Sequence, residues 1–244
     1  SSPAAPSFRW WVARARRSRR RDLAARLTWF EPHVHGVQPR MLSITQATER
    51  GAIYTPQEIS ALAKIAHERD MAVHMDGARF ANALVAQKVT PADLTWKAGV
   101  DVLSFGVIKN GGMNAEAVVF FDPTRVADFE FRRKRAGQLF CKGRYAAVQL
   151  LAYLESGMWR RNAERANRLA ARIAAAAPQL LSEPFATNQV FMKLGDERIA
   201  ALSQRVRLLS LGPDRLGRSA LRVFLGHARR RCRCVVRGAR RSCS

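Results

Sequence analysis

Long apolar runs, paired cysteines and acidic side chains are all scarce in this sequence. No stretch of the 244 residues approaches the roughly 20 consecutive apolar positions of a membrane span, and the start lacks the unbroken apolar segment of a secretory signal. No membrane partner is expected. Cysteine occurs four times, at Cys141 and at Cys232, Cys234 and Cys243 near the end, with no spacing of a disulfide framework. A reducing, cytoplasmic setting is the expectation. Cys232 and Cys234 with His227 match no finger or ribbon spacing, so no metal is expected either.

The shortage of acid is uneven. Asp and Glu total 19 against 42 Lys and Arg, a formal charge of +23. Residues 1–31 hold eight arginines against Asp22 and Glu31, a balance of +6, and residues 205–244 hold twelve arginines against Asp214, a balance of +11. Both ends lack lysine. The remainder, 32–204, carries only +6, which is ordinary for a metabolic protein. A basic nucleic-acid-binding protein is therefore the weakest reading. Seven arginines between 229 and 241 would attract phosphates, but no aromatic side chain lies among them to stack on bases, so no specific nucleic acid is expected. Trp10, Trp11 and Asp22, with no clear amphipathic repeat around them, argue against a transit peptide at the start.

What is present between the ends is an alternation of strands and helices. Met41 to Thr45 reads as a strand. Thr55, Pro56 and Glu58 form a helix start, with Thr55 as N-cap, Pro56 at the first helical position and Glu58 completing a capping box. Ile59, Leu62, Ala63 and Ala66 then repeat on one face, and Arg69-Asp70 ends the helix. Met71 to Met75, Asp101 to Phe105 and Ala117 to Phe121 are three further apolar runs, with a helix from about Arg79. Beyond Phe129 the pattern is helical through Ala146 to Leu154 and Trp159 to Ala177, and Val190 to Met192 reads as a strand of a smaller domain. Strands separated by helices predict a mostly parallel sheet flanked by helices, whose ligands sit beyond the carboxyl ends of strands.

Two residues with chemistry fall at such ends. Lys109 follows the third of these strands, with Gly106 before it and Asn110-Gly111-Gly112 after it. A lysine amine can form a Schiff base with an aldehyde cofactor, and small neighbours let a flat ring approach. The same residues also fit a solvated loop. Asp76 ends an earlier strand, with Arg79 three residues on. Such a carboxylate needs a cationic partner, either a protonated ring nitrogen or simply Arg79 itself.

The run His74-Met75-Asp76-Gly77-Ala78-Arg79-Phe80-Ala81-Asn82-Ala83 is followed in order by Leu103 to Gly111 and by Ala115 to Phe121. With Ser43 to Glu49, Leu94 to Gly99 and Arg135 to Gln138, these motifs resemble the low-specificity L-threonine aldolases across about Pro32 to Leu194. That resemblance implies pyridoxal-phosphate fold type I, the aspartate-aminotransferase-like fold, with a partial large domain followed by a small C-terminal α/β domain. It implies pyridoxal 5'-phosphate held by Lys109, with Asp76 on its ring nitrogen and Arg79 on the substrate carboxylate. Arg222 is the nearest candidate for a second carboxylate-binding arginine. The implied reaction is aldol cleavage of threonine, or a related β-hydroxy-α-amino acid, to glycine and an aldehyde. Another fold type I enzyme, an aminotransferase or β-eliminating lyase, is the alternative. A homodimer or homotetramer is also implied.

The implied organisation is an arginine-rich lead-in at 1–31, a partial cofactor-binding domain at 32–155, a small domain at 156–212 and a disordered basic tail at 213–244. The sequence departs from the family at Ile108, where a hydroxyl residue precedes the lysine, and residues 1–31 hold no counterpart of the family's phosphate loop or ring-stacking histidine. This predicts an incomplete pocket in a copy that is truncated or inactive alone. His33 and His35 read as loop residues, and Lys134 and Arg144 as a solvated helix face. Out-of-frame translation of a GC-rich gene would produce both lysine-free ends. Resequencing the locus checks this, since neighbouring frames should then restore family motifs.

Overall fold

A computed structural model describes residues 11–12, 20–30, 34–36, 38–204, 209–213 and 219–224. A short strand β1 (Trp11–Val12) and helix α1 (Arg20–Leu27) precede β2 (Met41–Thr45), α2 (Pro56–His67), β3 (Ala72–Asp76), α3 (Phe80–Gln87), β4 (Val102–Gly106) and β5 (Glu116–Phe120). These strands form one sheet in the order β1-β2-β3-β4-β5, parallel except for β5, which runs antiparallel to β4. The mostly parallel α/β sheet is thus as expected. The helices α4 (Phe129–Arg135), α5 (Arg144–Glu155) and α6 (Met158–Ala176) follow. A second sheet then joins β6 (Gln189–Lys193), β7 (Leu209–Pro213) and β8 (Ser219–Phe224) in the order β6-β8-β7, all antiparallel, with α7 (Asp196–Ser203) after β6.

Helix α2 begins where its chemistry dictates. Thr55 Oγ1 accepts from Glu58 N at 3.2 Å and Glu58 Oε2 accepts from Thr55 N at 2.9 Å, so two otherwise orphaned donors are satisfied. Its buried face is Ile59, Leu62, Ala63 and Ala66. Opposite it, Leu42 and Ile44 of β2, Val73 and Met75 of β3 and Leu103 of β4 form one apolar face of the sheet. A fully buried leucine or isoleucine contributes about 1.5–3 kcal/mol, so this layer is the main support of the fold. Replacing Thr55 by alanine should cost about 1 kcal/mol through loss of the cap. Urea unfolding should show a lower midpoint with an unchanged slope, and an unaltered midpoint would contradict this account of the helix start.

Two features were not singled out in the sequence. Leu23 and Leu27 of α1 are buried in the same core, although the lead-in shows no obvious amphipathic pattern. Two leucines at i and i+4 suffice to seat two turns of helix, and the surrounding arginines hide that short stripe in composition. Strand β8 lies inside the segment read as a basic tail and pairs with β6 in register from Gln189↔Phe224 to Lys193↔Ala220. His33, His227 and the three C-terminal cysteines lie outside the described residues.

Candidate functional site

Alternation along the strands divides the sheet into an apolar face and a polar one. Ser43 is in register with His74, and Thr45 with Asp76 and Ser104, so all five share the polar face. The His74 ring spans three strands. Its Nδ1 lies 2.8 Å from Ser43 Oγ and its Nε2 lies 2.8 Å from Ser104 Oγ. Burial pushes the imidazole pKa down, and the nearby Asp76 charge opposes that. A neutral imidazole has one N–H and one lone pair, so one nitrogen donates to a serine oxygen while the other accepts from the second hydroxyl.

Asp76 ends β3 two residues further along the same face. Its Oδ1 accepts from Ala78 N at 3.0 Å, which turns the chain toward α3. Gly77 is required here, because a Cβ would lie 2.7 Å from Leu103 Cδ1 and 2.8 Å from Ser104 O. Arg79 follows at the start of α3 and is buried. Asp76 and Arg79 thus lie three positions apart where β3 gives way to α3 at the carboxyl edge of the sheet.

Lys109 sits in a single turn, Ile108–Asn110, immediately beyond β4. The turn is closed by Asn110 N and Gly112 N, which both donate to Val107 O at 3.0 and 2.9 Å. Gly112 packs against the Val107 side chain, where a Cβ would lie 2.8 Å from Val107 Cβ. Lys109 is exposed, whereas Asn110 beside it is buried.

Glu116, which opens β5 opposite Gly106, is the residue that the sequence reading did not single out. Its carboxyl group covers Gly106, where a Cβ would lie 2.7 Å from Oε1. Burial pushes its pKa up, with Lys109 opposing and Asp76 adding to the rise. Lys109, Asp76 and Glu116 are therefore electrostatically coupled at one edge of the sheet. A signal for Glu116 did exist: it is the one acid in an otherwise apolar strand, paired with a glycine.

Arg222 falls on β8, of which the backbone alone is described, and the register places it opposite Phe191 of β6 and Leu209 of β7. His35 lies in an exposed turn, and Lys134 and Arg144 are exposed on α4 and α5. No helix among the described residues is long and apolar enough to cross a membrane.

The group with which this edge was compared in the sequence, a phosphorylated pyridine aldehyde, needs an amine, an acid for its ring nitrogen and an anion site. The described residues fit the first two, through Lys109 and Asp76, with small Gly77 and Gly106 between their strands. The anion site is not among them. The position before the lysine is Ile108, 49% exposed and without a hydroxyl.

Comparison with known proteins gives the same direction. A family model described as beta-eliminating lyase matches residues 20–197. A low specificity L-threonine aldolase from Pseudomonas sp. is 40% identical over 176 residues, covering 70% of this chain and 51% of that protein. A protein of the same name from Pseudomonas aeruginosa is 43% identical over 176 residues, with the same coverage of 70% and 51%. The chain thus spans about half the length of these relatives. Among solved structures, a threonine aldolase from Leishmania major superposes with a TM-score of 0.85 at 25% identity, covering 93% of this chain and 68% of that one.

Proposed function

Because the chain belongs to the beta-eliminating lyase family, we propose that it carries the lysine-bearing half of a pyridoxal-phosphate-dependent threonine aldolase. The observation that carries this reading is the shared edge of Asp76, Lys109 and Glu116, reached from three neighbouring strands. Lys109 would hold the cofactor through its amine. Asp76 would accept a hydrogen bond from the ring nitrogen and keep it protonated. When bound, the cofactor supplies a sink for the electron pair left on Cα as the Cα–Cβ bond breaks.

The rest is the work of side chains. Arg79 would present its planar fork to the substrate carboxylate, and Arg222 is retained as a second such group on the strength of the resemblance alone. Glu116 would keep a carboxylate within the field of the lysine amine. His74, bonded on both sides by serines, stiffens the strand that delivers Asp76. Cleavage of threonine gives glycine and acetaldehyde, with the β-hydroxyl proton passed to a base and one proton returned to Cα.

Incubating the whole chain with pyridoxal 5'-phosphate and threonine should release acetaldehyde and glycine in equal amounts. Release of ammonia and a keto acid in their place would favour the β-eliminating alternative. Transfer of the amino group to an added keto acid would favour an aminotransferase. No product from threonine or its β-hydroxy relatives would overturn the reading for this chain.

Association into a homodimer or homotetramer, implied by the resemblance, belongs to the same proposal. Phe131, Phe140, Tyr145, Val148 and Leu151 on and between α4 and α5 are all exposed, a run of large apolar side chains that a neighbouring subunit would cover. Cys141, free and exposed, suits the reducing cytoplasm that we assign to the protein.

A further inference from the structure

Helix α6 touches both halves of the candidate site through asparagines. Asn110, next to Lys109, donates from Nδ2 to Tyr153 Oη of α5 and to Trp159 O of α6, the latter at 2.8 Å. Its own carbonyl accepts from Asn162 Nδ2 at 2.9 Å. Asn110 is thus held from its side chain and its backbone at once, which leaves the lysine turn one conformation relative to α6.

Five residues along the same helix, Asn167 makes a second clasp. Its Nδ2 donates to Asn82 O at 2.9 Å, and its Oδ1 accepts from Asn82 Nδ2 at 3.1 Å. Asn82 lies three residues after Arg79 in α3 and is buried, so that Asn167 satisfies its Nδ2 and its backbone carbonyl while its Oδ1 has no hydrogen-bond partner among the described residues. At 1.5 Å per residue the two clasps are only about 7.5 Å apart along the helix axis. The far end of α6 is built elsewhere, with Ala170, Ile173 and Ala174 packed against Val190, Met192 and Leu194 in and beside β6.

We infer that α6 is the positioning element of the site, with Asn162 setting the Lys109 turn and Asn167 setting the helix that carries Arg79. The two groups that must meet one substrate, an amine and a guanidinium, come from separate connections of the sheet, 30 positions apart in the chain. A single rigid helix bonded to both fixes their separation. The inference rests on Lys109 and Arg79 being the reactive pair of the proposed function, but its test does not require the cofactor.

The test compares the whole chain with its Asn162→Ala, Asn167→Ala and Arg172→Ala variants, the last removing an exposed side chain of the same helix. Amide hydrogen exchange reports each clasp separately. In Asn162→Ala the amides of Asn110 and Gly112 should exchange about tenfold faster, the change that loss of one buried hydrogen bond produces, while those of Asn82 and Ala83 are unaltered. Asn167→Ala should show the opposite pattern, and Arg172→Ala neither.

Acylation of Lys109 by acetic anhydride, read by mass spectrometry against Lys97 in the same molecule, reports position. It should change by about threefold or more in Asn162→Ala, since a turn no longer held at the Asn110 carbonyl lets the amine take up other positions. A uniform rise in exchange across the chain, or an unchanged Lys109 to Lys97 ratio, would overturn the inference. If the parent forms no product from threonine, the proposed function fails while these two measurements still decide the role of α6.

Discussion

If the proposed function holds, Lys109→Ala should abolish aldol cleavage, by on the order of 10³-fold or more, because the amine proposed to anchor the cofactor is then removed. The absorption band of lysine-bound cofactor should vanish at the same time. Stability should hardly move, within about 0.5 kcal/mol, since Lys109 is exposed. A second consequence is independent of turnover. Lys109 opposes the upward shift of the Glu116 carboxyl, so its removal should raise the Glu116 pKa further. A carboxyl resonance of Glu116 that titrates at the same pH in parent and variant would contradict the coupling described here. Retained activity in the variant would remove Lys109 from the site.

Asp76→Asn should have the next largest effect. The amide keeps the oxygen that accepts from Ala78 N, so the turn into α3 survives, but the negative charge is lost. An opposite charge at contact distance shifts a pKa by about 1–3 units, so a ring nitrogen facing asparagine would be protonated less often. Activity should fall by roughly 10-fold to 10³-fold, one decade per unit. His74 provides the check on sign. The Asp76 charge raises its pKa against the lowering caused by burial, so the variant should titrate His74 at still lower pH. An imidazole that titrated higher in Asp76→Asn would show that the two groups are not coupled as described. Unchanged cleavage of threonine would show that Asp76 does not face the cofactor.

Lys109, Asp76 and Arg79 were already candidates from the sequence. Glycine and lysine at a strand end, and a carboxylate at another, point to the carboxyl edge of a parallel sheet, and the ordered motifs name the family. Glu116 was legible only as a letter in a motif. Its meaning depends on β5 running antiparallel to β4, which brings residue 116 opposite Gly106 and above it. Asn110 and Asn82 were motif members for the same reason, and nothing in their spacing tells that Asn162 and Asn167 would reach them across 52 and 85 positions.

By itself, the sequence determined which elements form and which face of each is apolar. Capping residues and strand alternation act over a few positions, and those energies are set by neighbours in the chain. It also determined the family, and with it Lys109, Asp76 and Arg79 as the residues to examine. Only the tertiary structure decided that Lys109 and Asp76 share one edge with a third charge. It alone decided that a single helix clasps the turns carrying Lys109 and Arg79, and that two leucines of an arginine-rich lead-in complete the core. Those outcomes depend on strand order and on desolvation by residues far away in the chain, which local pattern does not encode.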